Sequence, residues 1–325
     1  MLNIIFMGTP DFAKESLEAI YNEGYNITAV VTNPDRPKGR GMKMIASPVK
    51  EFAIEKNIPV LQPEKIRDIK ETLVHLNPDL FCVVAYGKIL PKDILEIPKL
   101  GSINVHGSLL PKYRGAAPIQ WAVINGEEKT GITTMYMDEG MDTGDIILKE
   151  EVEIGKDETT GELWDKLSKV GGKLLVETID QIEKGTAPRI KQPEDFTMAP
   201  MLNKEMAKIN WEEKDSKEIK NLVRGLNPIM GAYTTFEGKK IKIWKADAIT
   251  LNEFIEEHPE FKEYVIGLKN MMGGTVICSD IKNGLYVKAN NSVVILQEVQ
   301  AENAKRMQIQ DFLRGNKIEA GSVFE

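Results

Sequence analysis

The sequence predicts an α/β domain with a largely parallel sheet, followed by a smaller β-rich domain. In the first half of the chain, strand-like and helix-like segments alternate, which is typical of a parallel sheet covered by helices. Further on, five short β-rich runs separated by turns follow one another, which is typical of a small β-barrel. A chain of 325 residues is also long enough to form two hydrophobic cores.

The alternating half combines apolar runs of strand length with amphipathic segments of helix length. Strands are expected at Leu2–Met7, Ile27–Thr32, Leu80–Ala85 and Ser102–Val105, and helices at Asp11–Glu23 and Ser47–Lys56. Pro48 suits the first turn of its helix, and the unbroken apolar run after Asp79 is typical of a strand covered on both faces. The runs Ile132–Met137 and Ile146–Ile154 flank a turn rich in Gly and Asp, and predict an antiparallel extension.

The rest of the chain defines the domain boundary. Glu162–Lys184 has the apolar spacing of one long helix, and the polar stretch at about 185–206 lacks periodicity and predicts a linker. The expected domains are therefore residues 1–203 and 207–325. A helix over Lys214–Val223 opens the second domain. Its β-rich runs are Ala232–Phe236, Lys240–Trp244, Thr275–Cys278, Gly284–Lys288 and Ser292–Val299.

The composition excludes several classes of protein. Apolar residues make up 42% and charged residues 28%, as in an ordinary globular enzyme, and no apolar run is long enough to span a membrane. Met1–Met7 lacks the basic start of a signal peptide and is interpreted as the first strand. Cys82 and Cys278 lie far apart in apolar settings, which favours buried free thiols over a disulfide or a metal site. A cytoplasmic protein is expected.

Charge is distributed unevenly along the chain. The net charge of −7 argues against nonspecific coating of nucleic acid, but residues 201–325 are close to neutral. Within the acidic first half, the segment from Asn33 to Lys50 carries Arg36, Lys38, Arg40, Lys43 and Lys50 against a single Asp35. Contacts with phosphates would explain this basic loop. A solvated surface loop is the alternative.

The most informative polar residues are Asn104 and His106, followed by a Ser-Leu-Leu-Pro loop. Residues two apart in a strand share a face, so this pair would project together near the strand end. A packing role is the alternative, but the loop ends the strand abruptly and leaves the pair at a rim. The other histidines, His75 and His258, are expected to be structural or solvated.

A second polar segment, Asp138 to Ile146, supplies carboxylates. A simple turn would explain its Asp and Gly content. A calcium-binding loop is excluded because the twelfth position, where a bidentate Glu belongs, is Lys149. Asp142 could instead orient His106 and favour its protonated form.

An amide, an imidazole and a carboxylate suit acyl transfer to an amine. Asn104 and protonated His106 could stabilise the negative charge that develops on the carbonyl oxygen. Asp142 could hold the imidazole and accept the proton of the amine, directly or through a water. The chain has no G-x-S-x-G motif, which favours direct transfer. No dinucleotide loop, phosphate-binding loop or Cys/His cluster is present, so neither NAD nor a metal is predicted.

These motifs resemble those of the folate-dependent formyltransferases. The matching stretches are Phe6–Phe12, Pro34–Gly41, Asn104–Pro118, Asp138–Ile146, Gln192–Asp195, Arg224–Pro228 and Gln310–Gly315. They span nearly the whole chain. The Asn104, His106 and Asp142 set is specific for the superfamily, and the C-terminal matches indicate the branch that acts on methionyl-tRNA.

The resemblance implies a Rossmann-like catalytic domain, an oligonucleotide-binding (OB)-type barrel, and catalysis by Asn104, His106 and Asp142. It also implies 10-formyltetrahydrofolate as formyl donor and initiator Met-tRNA as acceptor. A monomer is expected. The folate-binding residues implied by similarity are Tyr86, Gly87, Ile89, Ser108, Leu109, Leu110 and Pro111.

The same resemblance assigns a role to the basic residues. The basic loop would enter the acceptor end of the tRNA through Arg36, Lys38, Arg40 and Lys43. Arg40 is near the tip of this loop. The second domain would contribute Lys204, Arg224, Lys242, Lys245, Lys305 and Arg306. Each of these, taken singly, is also typical of a solvated surface. The acidic run from Glu253 to Glu260 is expected to face away from the RNA.

Three other functions are compatible with parts of the sequence. A formyltransferase acting on an amino-sugar nucleotide shares the catalytic set and is the main alternative. Glycinamide ribonucleotide transformylases are shorter and lack a second domain. A folate- or RNA-binding module without catalysis would not require the intact Asn104, His106 and Asp142 set.

Overall fold

The computed structural model describes residues 2–38, 43–261, 267 and 271–325. Arg40 and the side chains of Lys38 and Lys43 lie outside this description. The chain divides into two compact units. The first comprises Met1–Ile119, Lys129–Glu153 and Glu162–Pro200, and the second comprises Gln120–Glu128, Ile154–Gly161 and Met201–Glu325. The second unit therefore includes two short segments that precede the long helix expected from the sequence.

The first unit contains a seven-stranded sheet. Its strands are β1 (Asn3–Gly8), β2 (Asn26–Val31), β5 (Val60–Leu61), β6 (Leu80–Val84), β7 (Ser102–His106), β8 (Lys129–Tyr136) and β9 (Ile146–Glu153). They lie in the order β5-β2-β1-β6-β7-β8-β9. The first five are mutually parallel, and β8 and β9 extend the sheet with antiparallel pairing. The predicted parallel-dominated, Rossmann-like sheet and its antiparallel extension are confirmed.

Helices connect these strands. They are α1 (Asp11–Asn22), α2 (Pro48–Glu55), α3 (Lys70–His75), α4 (Lys92–Leu95), α5 (Pro118–Ile124) and α6 (Thr160–Glu183), with a 3-10 turn at Ile66–Ile69. Helix α1 buries Phe12, Leu17 and Ile20, the apolar stripe recognised in the sequence. Helix α2 begins where Ser47 caps it, because the Ser47 hydroxyl accepts the Lys50 N–H at 3.1 Å. Pro48 occupies its first turn, as expected.

The basic loop contains a short hairpin that the sequence analysis did not predict. Strands β3 (Arg36–Lys38) and β4 (Lys43–Ile45) pair in antiparallel fashion. Asp35 anchors the base of the hairpin, since its carboxylate accepts hydrogen bonds from Lys50 at 2.6 Å and Gln62 at 2.8 Å. These bonds hold the pKa of Asp35 below its ordinary value. Lys50 is therefore already paired and differs from the exposed Arg36.

The second unit is built on an antiparallel sheet. Its strands are β10 (Ala232–Phe236), β11 (Lys239–Thr250), β12 (Val276–Asp280), β13 (Gly284–Ala289), β14 (Ser292–Ala301) and β15 (Met307–Gln308). The strand order is β10-β11-β14-β13-β12, with β15 beside β14. The five expected strands are present, and β11 extends six residues beyond its expected end at Trp244.

In its described residues after Pro200, the second unit contains helices α7 (Ser216–Gly225), α8 (Leu251–Glu257) and α9 (Ile309–Gly315), together with a 3-10 turn at Pro259–Phe261. Helix α7 starts with a capping box. The Asp215 carboxylate accepts the Glu218 N–H, and the Glu218 carboxylate accepts the Asp215 N–H. No helix within the described ranges is long and apolar enough to cross a membrane.

Candidate active site

Strand β7 places Asn104 and His106 on one face, as their spacing predicted. Asn104 pairs with Val83 of β6 and Met135 of β8, so it lies in the interior of the sheet. Its side chain is half-buried, and its amide makes no hydrogen bond to the described part of the chain. His106 is 5% exposed and ends the strand. An unpartnered amide beside a buried imidazole leaves hydrogen-bonding capacity for a ligand.

Both ring nitrogens of His106 face protein groups. Nε2 lies 2.9 Å from the Tyr113 carbonyl oxygen, which can only accept, so Nε2 carries the hydrogen of this bond. Nδ1 lies 3.6 Å from the Asp142 carboxylate, which is longer than a direct hydrogen bond. To donate to a substrate oxygen, the His106 ring must give up its contact with Tyr113 or with Asp142. The Nδ1–Asp142 contact is the longer and therefore the weaker of the two.

Asp142 reaches His106 through a tight loop between β8 and β9. Its φ angle is +54°, a left-handed conformation that costs a non-glycine residue about 1–2 kcal/mol. The carboxylate accepts the Gly115 N–H at 2.7 Å. At Gly115, where φ is +117°, a Cβ would lie 2.9 Å from the Ala199 carbonyl oxygen, so a side chain would displace this donor. The backbone therefore fixes the carboxylate beside the imidazole.

The Ser-Leu-Leu-Pro loop buries the side chains of two residues that were expected to bind folate. Ser108 is fully buried, and its hydroxyl donates to the Lys112 carbonyl at 2.6 Å. Leu110 is also fully buried and packs with Met135 and Ile146. These two side chains shape the loop and present no surface to a ligand. Leu109 and Pro111 are half-buried and remain candidates.

The three folate-binding residues expected after β6, Tyr86, Gly87 and Ile89, differ from one another in exposure and conformation. Tyr86 is 2% exposed, its hydroxyl has no partner in the described structure, and burial raises its pKa to about 12. Gly87 adopts a φ of +76°. Ile89 is 85% exposed and lines a surface hollow of about 500 Å³. Of these three, Ile89 presents the largest apolar surface to a ligand.

A larger hollow of about 800 Å³ lies next to this one. The two share Lys92, Glu96 and Glu139 among their lining residues. The larger hollow also contains Ser102 at the start of β7 and Met137 at the end of β8. Glu139 belongs to the carboxylate-rich segment recognised in the sequence, whereas Ser102 has no such signal. The hollows have the volume of a small-molecule site.

Comparison with known protein families identifies the fold. The family described as formyl transferase matches residues 2–179, which is more than half of the chain. The chain belongs to the formyl transferase family. The model described as formyl transferase, C-terminal domain, matches residues 201–317.

Relatives of this formyl transferase match over almost the full length. The methionyl-tRNA formyltransferase of Clostridioides difficile (strain 630) is 50% identical over 326 residues, covering 99% of each chain. That of Acetivibrio thermocellus is 49% identical over 325 residues, again covering 99% of each. An N-formyltransferase from Helicobacter canadensis, solved with folinic acid and dTDP-3-aminofucose, superposes with a TM-score of 0.65 at 21% identity. It covers 93% of this chain and 100% of its own, and supports the formyl transferase fold.

Within this formyl transferase, Arg224, one of the RNA contacts expected from the sequence, lies buried in the second unit. Its side chain is 8% exposed. The guanidinium donates to the carbonyls of Gly155 and Glu158, both at 3.1 Å, and to the Asn221 side chain at 2.9 Å. These bonds hold Nε and Nη1 of the guanidinium inside the second unit, where it has little exposure to a phosphate.

Other basic residues expected to bind RNA do reach the surface. Lys204, Lys245, Lys305 and Arg306 are exposed, and Lys242 is half-buried. Lys240, Lys242 and Trp244 alternate along β11 and so share one face of the sheet. The Arg306 guanidinium lies 3.4 Å from the centre of the Trp244 ring.

The name basic face is used below for the residues that lie together on this side of the sheet: Lys240, Lys242, Trp244, Arg306 and the neighbouring Tyr233. Lys240 lies 3.4 Å from the centre of the Tyr233 ring. Burial, with the charges of Lys240 and Arg306, lowers the pKa of Lys242. The cations are thus close enough to repel one another. Helix α8, which carries Glu253, follows the far end of β11, about 25 Å along the strand from Lys242.

Proposed function

We propose that this chain transfers the formyl group of 10-formyltetrahydrofolate to the α-amino group of methionine on initiator tRNA. The observation that carries the proposal is the near 50% identity, over both units, to methionyl-tRNA formyltransferases. The contact between His106 and Asp142, with Asn104 on the same strand face, supports the chemistry. Residues 1–203 would form the catalytic domain, and residues 207–325 an OB-like domain that binds tRNA.

The proposed reaction begins when the methionine nitrogen attacks the formyl carbon. The carbonyl electrons move to oxygen, giving a tetrahedral oxyanion that the Asn104 amide and the His106 imidazole stabilise. Asp142, directly or through a water, accepts the proton lost by the amine. The bond between the formyl carbon and N10 of the folate then breaks, and N10 takes up a proton. The products are formylmethionyl-tRNA and tetrahydrofolate.

The gap between His106 and Asp142 suits the proposed roles. At 3.6 Å, the Nδ1 and Oδ2 atoms are too far apart for a direct bond, and a water or substrate atom can mediate their contact. The second ring nitrogen stays bonded to Tyr113 and keeps the ring plane fixed. The imidazole can therefore respond to the substrate without losing its orientation.

We propose that the folate lies in the two adjoining hollows. Met137, Leu95 and Ile89 offer apolar surface for its aromatic rings, and Glu139 offers an acceptor for ring N–H groups. Glu139, which lines both hollows, is three residues before Asp142 in the loop between β8 and β9. Folinic acid in the Helicobacter canadensis relative is consistent with a folate ligand.

We propose that the basic hairpin and the basic face bind the tRNA. Arg36, Lys38, Arg40 and Lys43 belong to the hairpin segment, and Lys242, Lys245, Lys305 and Arg306 to the second unit. Arg306 is exposed beside the Trp244 ring and forms no salt bridge in the described part of the chain. Unneutralised cations gain most from phosphate contacts. Both cysteines are free, consistent with the cytoplasm, where charged tRNA is found.

The double substitution Lys245→Gln and Arg306→Gln is expected to raise KM for Met-tRNA about 5- to 20-fold and leave kcat almost unchanged. Each lost phosphate contact should also reduce the slope of log KM against log salt by about 0.7–0.9. Steady-state kinetics at several salt concentrations measure both effects. Lys317→Gln, which removes a lysine already paired with Glu319, is the control. Equal salt slopes in all three proteins would contradict the proposed interface.

The acceptor is tested directly by a formyl-transfer assay. Purified protein and 10-formyltetrahydrofolate are incubated with initiator Met-tRNA, elongator Met-tRNA or an amino-sugar nucleotide. We expect product with initiator Met-tRNA. The related N-formyltransferase solved with dTDP-3-aminofucose makes the sugar nucleotide the relevant alternative. Formylation of the sugar nucleotide alone would contradict the proposed function.

A further inference from the structure

Residues Gln192 to Ala199 form an irregular segment, the strap, that runs beside the loop after β7. The Arg114 N–H donates to the Thr197 carbonyl at 2.8 Å, and the Ala199 N–H donates to the Arg114 carbonyl at 2.7 Å. These bonds join the strap to the segment that supplies the Gly115 N–H for Asp142. The strap thus supports one side of the Asp142 carboxylate.

The side chain of Gln192 connects the strap to the loop that carries Asp142. Its Nε2 donates to the carbonyl oxygens of Asp142 and Gly144, both at 2.8 Å. Its Oε1 accepts from Arg114, from Nε at 3.0 Å and from Nη2 at 2.7 Å. An amide has two donor hydrogens and two acceptor lone pairs, so Gln192 is fully used.

Arg114 is a rigid partner for this amide. Its side chain is 7% exposed, and the Phe196 ring centre lies 4.5 Å from the guanidinium. The two bonds from the guanidinium converge on Oε1 and, with the two bonds donated by Nε2, fix the orientation of the Gln192 amide. That orientation in turn sets the direction of the two N–H groups that hold the Asp142 loop.

The backbone of the Asp142 loop is in a conformation that requires support from its surroundings. Asp142 has a φ of +54°, which a non-glycine residue keeps only when its surroundings enforce it. The bond from Gln192 is made to the carbonyl of Asp142 itself. At Gly144, a Cβ would lie 1.8 Å from the Tyr136 carbonyl oxygen, so the backbone is also tightly packed there.

We propose that Gln192 is a positioning residue for Asp142. Its amide and the Arg114 guanidinium form a clamp that keeps the Asp142 carboxylate at its distance from the His106 imidazole. Gln192 itself does not touch the reacting atoms. This inference rests on the proposed function only through the role of Asp142 in formyl transfer.

The sharpest variant is Gln192→Glu. A carboxylate can still pair with Arg114, but it has no N–H groups and turns an acceptor towards the carbonyls of Asp142 and Gly144. We expect kcat to fall about 10- to 100-fold, because misplacement of a catalytic group by a fraction of an ångström is costly. KM for folate and for acceptor should change by less than about threefold. Gln181→Glu, the same change on helix α6, is the matched control and should keep wild-type kinetics.

A double substitution separates positioning from general support. If Gln192 acts through Asp142, Gln192→Glu should have little further effect on kcat when Asp142 is already Asn. A merely structural role would instead lower kcat by the same factor in both backgrounds. That result, or a wild-type kcat in Gln192→Glu or in Asp142→Asn, would overturn the proposal.

Folding is followed by thermal unfolding of every variant. If Gln192→Glu does not fold, Arg114→Lys weakens the same clamp from its other side, because lysine keeps the charge but does not reproduce the two guanidinium bonds to Oε1. We expect Arg114→Lys to lower kcat by the same factor in the wild-type background and to have no further effect in the Asp142→Asn background. An unchanged kcat in Arg114→Lys would refute the clamp. All assays use the acceptor that the wild-type protein formylates best. An error in the proposed acceptor would therefore appear in the wild-type protein and leave the positioning test intact.

Discussion

His106→Ala is expected to lower kcat for formyl transfer by about 10²–10³-fold while the protein remains folded. The imidazole is the only side chain in the described structure that contacts both the Tyr113 carbonyl and the Asp142 carboxylate. Without it, the oxyanion loses a donor and Asp142 loses the group that it orients. The loss should fall on kcat, because this stabilisation develops in the transition state.

The measurement is a single-turnover assay with saturating folate and Met-tRNA, accompanied by thermal unfolding. His75→Ala is the control, since His75 is exposed on helix α3. The control should keep its wild-type rate. A His106→Ala protein that turns over at more than about a third of the wild-type rate would remove His106 from the mechanism.

Arg224→Met should destabilise the second unit by about 2–4 kcal/mol. Methionine fills much of the same space but leaves the carbonyls of Gly155 and Glu158 without their donor. The loss of these bonds from a charged donor, and of the bond to Asn221, removes stabilisation that methionine cannot replace. Burial of this guanidinium lowers its pKa, which agrees with an environment poor in water.

Denaturant unfolding followed by tryptophan fluorescence measures this effect, because Trp121, Trp211 and Trp244 all belong to the second unit. Lys245→Met is the matched control, and its stability should stay within about 0.5 kcal/mol of wild type. Arg224→Met protein that is fully stable but binds tRNA weakly would restore the RNA-contact role expected from the sequence.

Periodicity was sufficient to predict the longer strands of both sheets and the longer helices. The unbroken apolar run at Leu80–Val84 is a central strand with all five residues buried, and the apolar stripe of α1 faces the core. These predictions succeed because burial on one or both faces imposes a repeat that a single sequence displays. The hairpin of β3 and β4 was not predicted, since strands of three residues are too short to show a repeat.

Exposure was harder to predict than secondary structure. Arg224 and Lys245 are both basic residues in the same domain, and the sequence treats them alike. One is buried among carbonyls and the other is exposed. Ser108 shows the same difficulty, because a polar residue in a loop beside the site is expected to meet a ligand. Its hydroxyl instead closes the loop on the Lys112 carbonyl.

The sequence by itself determined the fold class, the common face of Asn104 and His106, and the chemical type of the candidate site. Those properties depend on residues close together in the chain. Only the tertiary structure decided that Asp142 stands 3.6 Å from His106 and that Gln192, fifty positions further on, bonds to its carbonyl. Such contacts depend on loop paths and on hydrogen bonds between distant segments, and no local repeat encodes them.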